Sequence, residues 1–306
     1  MSGPRQPPCR LLLLGKGGQV GWELQRSLAP LGEVLALGRT EAPLTDLAGL
    51  REQVLQFRPQ LIVNAAAYTA VDRAESESEL AHTINALAPE VLAQAAREVG
   101  AWMVHYSTDY VFNGSGSQPW QEADATGPLN VYGRTKLEGE QRVAAACSRH
   151  VILRTSWVYA ARGGNFVRTM LRLAQEREQL QVVNDQHGAP TGAELIADTT
   201  AHLARQLLLS PDGQAQLAGI YHLAAAGETT WHGYASYAIA QARALRPDLP
   251  WRVQAVAPVA SSAFATAAQR PLNSRLDTAR LQSTFGLHLP HWQAGVDRLL
   301  AEILTP

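Results

Sequence analysis

The sequence predicts an α/β protein, a doubly wound parallel sheet of Rossmann type with a smaller interleaved C-terminal substrate lobe, and three observations carry that reading. Short apolar runs at 10–14, 33–37, 61–65, 102–107 and 150–156 alternate with amphipathic stretches such as SELAHTINALAPEVLAQAAREVG. Runs that are apolar throughout, rather than at every second position, are what strands buried on both faces require. Glycines follow the first run at 15, 18 and 21, where a strand must turn into a helix. Beyond about residue 157 the alternation weakens and loop-like segments such as NDQHGAPTG and RPLNSRLDT intervene. The expected division is a flexible tail over 1–9, a dinucleotide-binding domain over 10–157 to which later segments return, and a mainly substrate-binding lobe over 158–306.

Taken in order, MSGPRQPPC reads as a tail and RLLLL as the first strand, because Gly15 and Lys16 cut the apolar run short of signal-peptide length. No later stretch reaches the roughly 20 apolar residues of a membrane span. In LLLLGKGGQVGWELQRSL, Gly15, Gly18 and Gly21 allow a tight turn and close backbone approach to a pyrophosphate. The helix start that follows offers free N–H groups and a positive dipole end to the same charge. The second strand ends in LALGRT, with Gly38 where an acid would bond the ribose of NAD, and Arg39 after it. That favours NADPH, whose 2′-phosphate Arg39 would meet, with NADH as the other donor; the alternative for Arg39 is a solvated surface charge.

Ligands on such a sheet gather beyond the carboxyl ends of its strands. The fourth strand ends in STDY, where Ser107 and Thr108 supply hydroxyls, and the next helical pattern, NVYGRTKLEGE, puts Tyr132 and Lys136 four apart on one face. Spacing alone favours an ordinary surface pair. Behind a dinucleotide loop and beside two hydroxyls, the pair suits carbonyl reduction, in which hydride addition builds charge on oxygen that must be bonded and protonated. A neighbouring ammonium stabilises a phenolate and lowers a tyrosine pKa from near 10. Tyr106 and Tyr110 lack a lysine four residues on and read as packing residues, and His105, inside an apolar strand, as a hydrogen-bonded core residue. Helices are expected near 193–208, 231–244 and 291–303, and short strands near 182 and 221.

Charge and cysteines bound the partners. Lys plus Arg number 26 against 27 Asp plus Glu, so there is no electrostatic footprint for nucleic acid or an anionic membrane. Two cysteines, Cys9 and Cys147, without CxxC or metal spacing, point to reduced thiols in a cytoplasmic protein.

Jointly the glycine loop, NAAAYTAVDRAE, HYSTDYVFNG, VYGRTKLEGE, RTSWVY and NDQHGAPTG resemble the extended short-chain dehydrogenase/reductases, from about residue 10 to the C-terminus. Within that superfamily the likeness is to the branch that reduces dTDP-linked 4-ketosugars. The resemblance implies Thr108, Tyr132 and Lys136 as the catalytic trio, and a cofactor lying along Gly18, Gln19, Val20 and Gly21, at Asp46 and Leu47, and along Ala66, Ala67 and Tyr68. It sets Trp157 against the substrate, with Ser107 and Asp109 on the same side; Asp109 has the alternative of a loop cap bonded to nearby backbone. It also implies a homodimer that can hold Mg2+ at its interface through Glu23, Glu194 and Glu302. The implied activity is NADPH-dependent reduction of the C4 ketone of dTDP-4-dehydro-L-rhamnose to dTDP-L-rhamnose, a precursor of O-antigen and lipopolysaccharide. Sister dehydratases carry Thr-Asp-Glu at the strand end, whereas Tyr110 completes the triplet here, so elimination lacks its base. Arg270 and Arg275 are candidates for the substrate diphosphate, and His187 for the wall of the lobe. The other readings are a reductase of a different nucleotide 4-ketosugar and a non-catalytic, nucleotide-binding regulatory subunit.

Overall fold

The computed structural model describes residues 8–209 and 215–305. The expected tail lies outside the described residues as far as residue 7, and Cys9 already opens the first strand. In chain order, β1 (Cys9–Leu14) leads to α1 (Gln19–Leu28), β2 (Gly32–Leu37), α2 (Leu47–Phe57) and β3 (Leu61–Asn64). Two short helices, α3 (Val71–Ala74) and α4 (Ser78–His82), then run through a π turn at Thr83–Leu87 into α5 (Ala88–Val99). Next come β4 (Trp102–Thr108), α6 (Val131–Ala146) and β5 (His150–Thr155).

The remainder comprises β6 (Val158–Tyr159), α7 (Phe166–Glu176), β7 (Gln179–Val183), β8 (His187–Gly188), β9 (Thr191–Gly192) and α8 (Ala193–Leu209). It continues with β10 (Gly219–His222), β11 (Thr229–Thr230), α9 (Trp231–Leu245), β12 (Ala255–Val259), α10 (Ala279–Phe285) and α11 (Trp292–Leu304). Thus α8, α9 and α11 occupy the three stretches whose periodicity predicts helices.

Six strands form one sheet in the order β10-β5-β4-β3-β1-β2, every pairing parallel. The order reverses between β1 and β3, and at such a switch point the loops beyond the carboxyl ends splay apart and leave a crevice. The apolar runs explain the layers. Successive residues face opposite sides, so Leu11 and Leu13 pack under α1, α8 and α10, with Leu24, Ile196, Leu203 and Phe285. Leu12 and Leu14 pack under α2, α5 and α6, with Val54, Leu92 and Val143.

The chain therefore returns to the sheet after leaving it, through β10 on the edge beyond β5 and through α8 against α1. Ser27 donates from α1 to the Ala197 carbonyl at 3.0 Å, and Arg26 meets Asp198 at 2.9 Å. A separate core joins α7, α9 and α11 through Val167, Leu171, Tyr234, Trp292 and Val296. Beside it β7 and β12 pair in parallel, with Leu180 and Val182 buried against Ile239. Among the described residues no helix is long and apolar enough to cross a membrane.

Candidate active site

The two loops flanking the switch point touch. Gly15 has φ +89°, and a Cβ there would lie 2.8 Å from the backbone of Ala65 and Ala66, so the turn after β1 and the loop after β3 share one narrow crevice. Gly18 caps α1 with no side-chain bond, which leaves the first N–H groups, on Gln19, Val20 and Gly21, without a cap from the protein. Gln19 Oε1 is buried there with no partner. An anion fits this helix start. Gly21 closes the turn: a Cβ would stand 1.9 Å from the Gly15 carbonyl oxygen, whereas one on Gly17 meets nothing within 4 Å. Gly21→Ala is accordingly expected to weaken NADPH binding roughly tenfold or more, from an overpacking cost of about 1–3 kcal/mol, with Gly17→Ala near wild type. Titration of the nucleotide's fluorescence measures both, and equal affinities would contradict the assignment of the loop.

At the end of β2 the structure amends the sequence reading. Arg39 is exposed, and a carboxylate does stand nearby. Glu41 folds back to accept from the Gly38 N–H at 2.8 Å and pairs with Lys16 of the glycine loop. The Lys16 hydrogen bond, then that of Gly38, pulls its pKa down to about 2. Three-residue separation hid this acid from the expectation of none. Asp46 is the N-cap of α2, accepting from Gly49 N at 2.9 Å, with Leu47 opening the helix behind it.

The loop after β3 is clamped by a residue that periodicity did not single out. Asn85, fully buried in the π turn, accepts from Tyr68 N at 2.9 Å and donates to Tyr68 O at 3.1 Å and Thr135 Oγ1 at 3.2 Å. Ala66 N donates to Asn64 Oδ1 at 3.2 Å, and Tyr68 Oη reaches Glu77 at 2.5 Å; Ala67 lies between these fixed points. A π turn inside a helix is a recurrent mark of functional sites, and a buried Asn within an otherwise apolar helical pattern is the signal that could have found this one.

Helix α6 is seated by contact rather than by a broad apolar face. Asn130 caps it from Gly133 N at 2.8 Å. A Cβ on Gly133 would lie 2.3 Å from the Tyr110 carbonyl oxygen, and one on Gly139 2.1 Å from that of Asn85. Those approaches bring Tyr132 and Lys136 to the end of β4. Thr108 Oγ1 donates to Asp109 Oδ1 at 3.0 Å and accepts from Tyr110 N at 3.2 Å, at the same strand end that Tyr132 reaches.

Burial pushes Tyr132 up to about 12, partly offset by Thr108, and Asp109 up to about 6, offset by Ser274 and Thr108. Burial lowers Lys136 to about 8 against the pull of Glu140. The expected depression of Tyr132 by Lys136 is not present. The ammonium instead donates to the Tyr106 carbonyl at 2.5 Å, and desolvation dominates the phenol.

Four buried polar atoms without partners, Ser107 Oγ, Asp109 Oδ2, Thr155 Oγ1 and Ser156 Oγ, mark the ends of β4 and β5. Buried groups of this kind need a partner, and together they outline where a polyhydroxylated ligand fits; Thr155 and Ser156 were not anticipated. Trp157 follows at φ 48°, a strained position for a residue with a side chain. Its ring stacks on Trp231 at 3.8 Å and presses on Gly188, where a Cβ would lie 2.8 Å away.

Tyr106 bonds Thr200 at 2.6 Å, and Tyr110, in a turn rather than a continued strand, packs edge-on against Tyr132 at 5.6 Å. Arg270 and Arg275 are already engaged by Asp72 and Glu228. His187, in β8, bonds through its backbone to Leu272, and burial lowers its pKa.

The three glutamates expected at a metal do not form a site within one chain. Among the described residues no three His, Cys, Asp or Glu groups gather for a metal. Glu194 faces Arg298 at 3.4 Å and Glu23 faces Arg26 at 3.7 Å, while burial, Glu302 and Glu23 all raise the pKa of Glu194.

The family described as RmlD substrate binding domain matches residues 9–305. The chain is 54% identical over 302 residues to a dTDP-4-dehydrorhamnose reductase of Escherichia coli, covering 96% of this chain and 98% of that one. It is 47% identical over 296 residues to one of Burkholderia thailandensis, covering 97% and 99%. A crystal structure of dTDP-4-dehydrorhamnose reductase from Bacillus anthracis in complex with NADP has a TM-score of 0.85 at 33% identity, covering 96% of this chain and 99% of that one.

Proposed function

The chain belongs to the RmlD substrate binding domain family, and on that premise we propose that it reduces the C4 ketone of dTDP-4-dehydro-L-rhamnose with NADPH, giving dTDP-L-rhamnose. The observation that carries the reading is the meeting of the end of β4, where Thr108 donates to Asp109, with the start of α6, which brings Tyr132 against Tyr110 and buried Lys136 one turn on, in a sheet whose first helix α1 starts uncapped. When bound, the cofactor supplies hydride to the ketone carbon. The N–H groups of Gln19, Val20 and Gly21 would hold its pyrophosphate, with Ala66, Ala67 and Tyr68 on the loop opposite.

Tyr132 gives its proton to the ketone oxygen as charge builds there, and Thr108 supplies a second hydrogen bond by turning its one O–H from Asp109 to that oxygen. A phenol near 12 keeps its proton at neutral pH, which a reductase requires of its acid. The Lys136 ammonium, held on the Tyr106 carbonyl one turn along α6, keeps a positive charge on that side of the site until solvent restores the proton. Ser107, Asp109, Thr155, Ser156 and Trp157 bind the sugar. With Tyr110 in the third place of the strand-end triplet, the position of the glutamate that serves as base in dehydration is taken by a phenol.

The sheet with α1, α2, α5, α6, α8 and α10 serves the dinucleotide, and the lobe of α7, α9 and α11 serves the sugar nucleotide. Arg39 selects NADPH over NADH, since Lys16 neutralises Glu41. A homodimer is the expected assembly, and Mg2+, if bound, needs carboxylates from both copies. Two free cysteines fit a cytoplasmic location.

The pH dependence follows from Lys136. Its pKa is lowered, so its charge is complete well below about 8 and is lost as pH rises through that value. The rate of NADPH oxidation with the 4-ketosugar nucleotide should be level near neutrality and fall on an alkaline limb near pH 8. A rate unchanged through that range contradicts a charged Lys136 at the site.

A further inference from the structure

Lys136 is held from outside its own helix. Its Nζ donates to the Tyr106 carbonyl at 2.5 Å and lies 3.3 Å from Nε2 of His105. The other ring nitrogen lies 3.2 Å from Nδ2 of Asn64, and Asn64 Oδ1 takes the Ala66 N–H at 3.2 Å. Asn64, His105 and Lys136 are 1%, 0% and 2% exposed. An unbroken buried line therefore runs from the loop after β3 to the lysine. We propose that His105 is a positioning residue for the reduction, which with Asn64 holds the Lys136 ammonium in place and links its charge to the Ala66 N–H at the cofactor crevice. This rests on the reading of Tyr132 and Lys136 as the reacting pair.

A neutral imidazole has one N–H and one bare nitrogen. Burial, then the adjacent lysine, pushes the His105 pKa well below its ordinary value, so the ring is neutral. An ammonium only donates, so a charged Lys136 needs Nε2 bare and the proton on Nδ1. That proton needs an acceptor, which Asn64 provides by turning its oxygen to the ring, and the Ala66 N–H is then released toward the crevice.

With Lys136 uncharged the opposite set is consistent: Nε2–H toward Nζ, Asn64 Nδ2 to Nδ1, and Ala66 N–H on Asn64 Oδ1. The charge on Lys136 and the freedom of the Ala66 N–H thus change together. The other charged or titratable groups around the lysine are Tyr132 and Glu140, one turn back and one turn on along α6, and Arg154 of β5, which binds Glu140. Glu140 favours the charged lysine, which leaves His105 as the group whose tautomer must follow it.

The test uses the full chain with NADPH and dTDP-4-dehydro-L-rhamnose, comparing wild type, His105→Asn, His105→Gln and Lys136→Met. A Gln amide reaches the place of Nε2; an Asn amide reaches only that of Nδ1. His105→Asn should lose on the order of tenfold in kcat at pH 7 and move the alkaline limb down by about one pH unit, since a lost acceptor disfavours the charged form. His105→Gln should recover most of both effects, with KM for the sugar nucleotide steady. Equal loss in both variants without a moved limb, or no loss in either, overturns the proposal.

Should His105→Asn fail to fold, 15N shifts of histidine-labelled wild type decide. The His105 proton should pass from Nδ1 to Nε2 as pH rises through the limb, and a fixed tautomer overturns the proposal. If Lys136→Met itself retains full turnover, it is the underlying site assignment that has failed. Failure of the histidine test beside an inactive Lys136→Met leaves that assignment standing.

Discussion

Tyr132→Phe is expected to lower turnover of the 4-ketosugar nucleotide on the order of 10²-fold or more while leaving NADPH affinity within about twofold, because general acid catalysis contributes about 10²–10⁴. The ring keeps its edge-on contact with Tyr110 at 5.6 Å, and only the hydroxyl is lost. No other acid stands ready to replace it. Tyr106 is bonded away to Thr200, burial raises the pKa of Tyr110, and Asp109, near 6, is largely ionised at neutral pH. Steady-state rates of NADPH oxidation, with a nucleotide titration as control, measure the effect. Unchanged turnover would remove Tyr132 from its role.

Arg154→Met should cost about 3–5 kcal/mol of stability, the usual price of leaving a buried partner charge unpaired, and lower the melting temperature on the order of 10 °C. Arg154 and Glu140 are 3% and 2% exposed and meet through two hydrogen bonds, at 2.9 and 2.7 Å, that tie β5 to α6. The guanidinium also lies over Phe112, 5.0 Å from the ring centre. Removing it strands the Glu140 carboxylate one turn from Lys136. The double variant Arg154→Met, Glu140→Leu should recover much of the loss, since apolar replacement of a buried pair is often neutral. Thermal melts of the two variants test this, and a single variant as stable as wild type would contradict it.

What could be read from the sequence was local. Five apolar runs located five of the six strands of the sheet, and the glycines at 15, 18 and 21 located the crevice, because a strand packed in a covered sheet and a tight phosphate turn each write their constraint into consecutive residues. Tyr132 and Lys136 were legible for a similar reason: helix geometry joins residues four apart, and neighbouring motifs supplied the context that spacing lacks.

What was hidden came from pairings across the fold. His105 read as a core residue because a histidine in an apolar strand has no visible partner until Asn64 and Lys136 are brought to it. Arg270 and Arg275 looked free to meet a diphosphate until Asp72 and Glu228 claimed them. Glu41 reached the end of β2 by folding back from the loop, which no strand period encodes. The left-handed backbone of Trp157 is held by contacts with Trp231 and Gly188, both distant in sequence.

The central claim is tested most directly by incubating the purified chain with dTDP-4-dehydro-L-rhamnose and NADPH deuterated at the transferable position, then reading the product by NMR. Stoichiometric formation of dTDP-L-rhamnose with deuterium at C4, more efficient with NADPH than with NADH, is the predicted result. Tight NADPH binding without oxidation of the cofactor or deuterium in the sugar would contradict the account, and would leave the fold as a nucleotide-binding regulatory subunit instead.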